Sequence, residues 1–83
     1  MTNAQNIAGT IEILTSEINR LQKYLFENQE IRHDEIQKNP DYVETYEYMI
    51  LVEVARTTKT QIKAYTEAVK TLEFLKDTLD LIK

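Results

Sequence analysis

Apolar residues recur along the first part of the chain at Ile7, Ile11, Leu14, Ile18, Leu21 and Leu25, in alternating steps of four and three. Steps that average three and a half residues keep one face of an α-helix turned toward a neighbouring helix, so this spacing predicts a helix with a heptad seam. A second series alternates three and four through Leu51, Val54, Thr58, Gln61, Tyr65, Ala68, Leu72, Leu75, Leu79 and Ile82, with Ala55, Ile62 and Val69 widening the stripe. It predicts a second long amphipathic helix. Between the two series, the stretch ENQEIRHDEIQK at 27–38 is polar enough to be a solvated helix end or a loop.

The one strong punctuation is KNPDY at 38–42. Asn39 suits a helix cap, Pro40 a first turn, and Asp41 and Glu44 the positive end of a helix dipole. At the other end, Thr2 and Gln5 have the form of a capping box. The expectation is one all-α domain: a helix over about 4–36, a turn over about 37–40 and a helix over about 41–82. Two such helices fold back most simply as an antiparallel two-helix hairpin. With the bend near Asn39, residues whose numbers sum to about 79 face each other, a register that brings Glu17 toward Lys63 and Lys23 toward Glu53.

The stretch VETYEYMILVEVARTTKTQIK at 43–63 is too rich in apolar residues for one helix face. At about 100° per residue, Leu51, Val54 and Ala55 turn inward whereas Met49, Val52, Phe74 and Leu81 turn outward. Ile13, Tyr24 and Ile31 form an off-seam stripe on the first helix. A two-helix chain of 83 residues has little core to spare, so these seven residues are expected to form an oligomer interface, most economically in a four-helix bundle made of two copies. Thr58 and Gln61 would then supply a polar layer that fixes register.

Composition narrows the function classes. One glycine, one proline and 42% hydrophobic residues suit a helical protein, and the absence of cysteine removes disulfides and thiolate metal sites. A formal charge of −4 argues against general nucleic-acid binding. The opening MTNAQNIAGTIEIL lacks a basic signal-peptide start, and no apolar run reaches the ~20 residues of a membrane span, so a soluble cytoplasmic protein is expected.

Candidate chemistry is sparse. Glu30 and His33 have the Glu-x-x-His spacing of carboxylate metal bundles, for which Glu44 or Glu47 would be further donors. The charged neighbours of His33 point instead to a solvated histidine. Gly9, beside Ala8, reads as a point of close helix approach rather than part of a phosphate loop. Arg56, Lys59, Lys63 and Lys70 line one outer strip of the second helix, and Tyr42, Tyr46 and Tyr48 cluster at its start as an aromatic anchor. These seven residues are the candidate partner or ligand surface. The functional expectation is a protein-interaction module (adaptor, regulator or inhibitor) acting as a homo-oligomer on a protein partner, with no enzymatic activity and no cofactor. The alternative is a sponge for a small anion or nucleotide of the phage anti-defence kind, in which the oligomer forms pockets between helices and the basic residues take up the anion.

Overall fold

The computed structural model describes residues Asn3–Ile82, and these form two long helices folded back on each other. Helix α1 spans Asn3–Lys38, a 3-10 turn spans Pro40–Glu44, and helix α2 spans Tyr46–Ile82. The molecule is a rod of 61 × 15 × 14 Å. No helix is long and apolar enough to cross a membrane among the described residues. Thr2 of the expected capping box lies outside them.

Helix α1 runs unbroken through the polar stretch at 27–38. It does so because the heptad continues in phase past Leu25: Asn28 is buried, and Arg32 and Glu35 are half-buried at the next inward positions. Asn28 Nδ2 donates across the hairpin to the Leu51 carbonyl oxygen at 3.0 Å, and its Oδ1 accepts from Arg32 Nε at 2.7 Å. The pair Asn28 and Leu51 has the register expected for a bend near Asn39.

The turn is longer than expected. Asn39 Oδ1 accepts from the Asp41 amide at 3.1 Å, capping the short 3-10 turn rather than a long helix. Helix α2 therefore starts at Tyr46 and not at 41. Its cap is Thr45, whose extended backbone leaves Oγ1 free to accept from the Tyr48 amide at 3.2 Å while donating to the Tyr42 carbonyl oxygen at 2.6 Å. This detour tucks Tyr42 under the hairpin, edge-to-face on Tyr48 with ring centroids 5.8 Å apart. Burial, then the carboxylates of Glu47 and Glu35, raise the Tyr42 phenol above its ordinary pKa.

The inward face of α2 also differs from the expected series. Ala55 and Thr58 are buried and Ile62, Tyr65, Val69, Leu72, Lys76 and Leu79 are half-buried, whereas Gln61 is exposed and Leu75 and Ile82 are 45% and 74% exposed. The expected series thus mixed two adjacent stripes: α1 covers the line of Thr58, Tyr65, Leu72 and Leu79, and on the other it leaves Gln61, Leu75 and Ile82 exposed, with Val54 and Ala68 half-buried at its margin. The polar layer changes accordingly. Thr58 is buried, but its hydroxyl donates to the Val54 carbonyl of its own helix at 2.8 Å. The buried polar contact that joins the two helices is Asn28.

Cross-hairpin ion pairs are also replaced. Glu17 pairs with Arg20, Glu53 with Arg56 and Glu35 with Lys38, all one turn apart within a helix or at its end. The expected partners fail by azimuth: Lys23 and Glu53 both lie on outer backs, and Glu17 and Lys63 lie on opposite edges of the rod.

Gly9 makes no close approach. A Cβ added there would meet nothing within 4 Å. Gly9→Ala should therefore stabilise the chain by about 0.5–1 kcal/mol through helix propensity alone, read as a raised melting temperature. A lowered one would show that the glycine is needed.

Candidate interaction surface

The basic strip is built by heptad spacing. Arg56, Lys63 and Lys70 recur every seven residues on one line of α2, with Lys59 one turn from Arg56 and Lys63 and Asp77 closing the line. All four cations are exposed. Arg56 is engaged by Glu53, its Nε donating to the carboxylate at 3.1 Å. That hydrogen bond, and then the charge of Arg56, hold the Glu53 carboxyl below its ordinary value, as Arg20 does for Glu17. Lys59, Lys63 and Lys70 enter no ion pair among the described residues. Three lysines are thus available to an external anion.

The tyrosine cluster divides. Tyr46 is 76% exposed, Tyr48 is half-buried, and Tyr42 is 6% exposed. Tyr42 is therefore a structural residue of the turn and is withdrawn from the candidate surface. Of the three, Tyr46 offers most of its ring to a partner.

All seven expected interface residues are exposed, from Val52 at 37% to Leu81 at 85%. Helical phase spreads them over the rod. Ile13, Tyr24 and Ile31 lie toward one edge, Met49 and Val52 toward the other, and Phe74 and Leu81 on the back of α2. Exposed residues missed in the sequence include Ile50, Leu75 and Ile82, and the last two were hidden because they had been counted in the seam.

Glu30 and His33 face outward, the His33 Nδ1 lying 3.7 Å from an oxygen of Asp34. Glu44 and Glu47 are exposed at the turn end. No group of three or more His, Asp and Glu residues is placed to hold a metal ion among the described residues. An open cleft of about 400 Å³ lies at the far end of the hairpin, lined by Ala8, Ile11, Glu12, Glu73, Lys76 and Asp77. It is shallow and mixed in charge.

The fold is that of an antiparallel helical hairpin. No family model, curated protein or solved structure matches the chain.

Proposed function

We propose that the chain is a non-enzymatic protein-interaction module, an adaptor, regulator or inhibitor, that works as a helical homo-oligomer in the cytoplasm. The observation that carries this reading is the balance of apolar surface. Thirteen large apolar side chains are exposed along the described rod, against three buried hydrophobic residues, Leu21, Tyr42 and Ala55. So much exposed apolar surface against so small a core supports a chain whose faces are covered by other chains. The basic strip, with Tyr46 near its start, is the surface offered to a partner protein with an acidic face.

The second reading, a sponge for a small anion or nucleotide, is favoured by the same three lysines. Native mass spectrometry of the protein purified from its own host separates the two: a co-purifying polypeptide supports the module, and a stoichiometric small anion supports the sponge. Changing Arg56, Lys59 and Lys63 together to glutamine should leave helicity and oligomeric state unchanged, because helix propensity barely differs, while the co-purifying species is lost. Unfolding or dissociation of that variant would make the strip part of the structural interface instead.

A further inference from the structure

The stripe of α2 next to the seam carries a second heptad of its own. It begins at Ile50 and Val54 and repeats in steps of three and four to Ile82, and it contains no charged residue along its whole length. The line that borders it on the back of α2 carries Glu53 and Glu67, and the opposite edge carries the basic strip. Charge is thus excluded from one stripe. Its threonine hydroxyls at 71 and 78 donate to the carbonyl oxygens of Glu67 and Phe74 in their own helix, which satisfies those donors and lets the side chains enter a dry contact.

The rod as a whole has surface to spare for such a contact. The chain exposes 6357 Å², about 1,200 Å² more than the ~5,200 Å² of a compact monomer of its mass of 9.8 kDa. Burying that excess on each of two chains gives an interface of about 2,400 Å², the size of an obligate homodimer. Shape then selects the orientation. The stripe is bulky at its ends, with Ile50 and Val54 at one and Leu75 and Ile82 at the other, and small at its centre, with Ala64 and Ala68. Reversed about position 66 it matches itself, Ala64 meeting Ala68 of the second copy and Ile50 meeting Ile82 of the second copy. A parallel pairing would set Glu53 and Glu67 beside their own copies and align the two helix dipoles.

Resting on the homo-oligomer reading above, we infer that a second copy of this chain docks on the uncharged stripe of α2, antiparallel about Ala64 and Ala68. The basic strip stays outside this contact, free for the partner.

Light scattering should give a dimer or a multiple of it at micromolar concentration. Ala64→Glu, at a site exposed in the single hairpin, should weaken the dimer at least tenfold, and Gln22→Glu on the opposite edge should not. Because a separated hairpin can lose structure, geometry is measured on the intact oligomer as well, and the absence of cysteine makes single labelling sites simple to introduce. Spin labels at Glu67→Cys should lie within about 25 Å of each other, since the residues are offset by ~3 Å along axes ~8–10 Å apart. Labels at Glu53→Cys should be separated by about 40 Å at ~1.5 Å per residue. Short distances at both sites, or an intact Ala64→Glu dimer, would overturn this interface and leave the homo-oligomer reading standing. A monomeric wild type would overturn both.

Discussion

Leu21→Ala should lower the stability of the hairpin by about 2–5 kcal/mol, the range for truncating a buried leucine. Leu21 is 5% exposed and sits mid-seam, where the register set by Asn28 and Leu51 brings it level with buried Thr58. No large side chain is completely buried among the described residues, so little other core compensates. At ~0.05–0.15 kcal/mol per residue a chain this size has a total stability of about 4–12 kcal/mol. The substitution therefore removes a large share of it, and at ~4–8 °C per kcal/mol the melting temperature should fall by about 8 °C or more. Thermal unfolding followed by circular dichroism, at one fixed concentration because assembly shifts the midpoint, measures it. Phe26→Ala is the control, since Phe26 is 59% exposed and should change stability far less. Equal losses in the two variants would mean that the seam is not where the energy lies.

Asn28→Ala should cost about 1–3 kcal/mol, because the half-buried Arg32 loses its acceptor and a buried gap opens beside the Leu51 carbonyl. The more informative variant is Asn28→Leu. It restores an unbroken apolar seam, so the melting temperature should hold or rise. A polar residue at one seam position fixes register at a cost in stability, and without it the two helices can slide by a heptad. The expected sign is duplicated or broadened amide signals in the NMR spectrum of a protein that remains fully helical. A single sharp set of signals from Asn28→Leu would show that register is held elsewhere, with the turn as the next place to look.

Much of this architecture is written in local pattern. The α1 series from Ile7 to Leu25 faces α2 as its spacing demands, and the bend falls at Asn39 because proline and a capping asparagine stop a helix wherever they occur. The bend was enough to expect pairs summing to about 79, the pairing that the contact of Asn28 with Leu51 then pins. The basic strip was legible for the same reason, as a seven-residue repeat fixes an azimuth without reference to any neighbour.

What the sequence left open was decided by the choice of partner surface. Beside the line of Leu51, Thr58, Tyr65, Leu72 and Leu79 run two others, one through Val54, Gln61, Ala68, Leu75 and Ile82 and one through Ala55, Ile62, Val69 and Lys76, and periodicity cannot say which of the two α1 will cover with it. Packing selects the line with Ala55 and Ile62 and leaves Gln61 and Leu75 outside. Asn28 and Arg32 look like solvated residues in a polar run, and only the approach of the Leu51 carbonyl turns them into a buried contact. Tyr42 reads as a surface aromatic until the Thr45 cap and the 3-10 turn fold it beneath Tyr48. In each case the chain fixes a helix and its faces through local sterics and hydrogen bonding, while burial is a property of two surfaces meeting, so the second surface determines which face becomes the core.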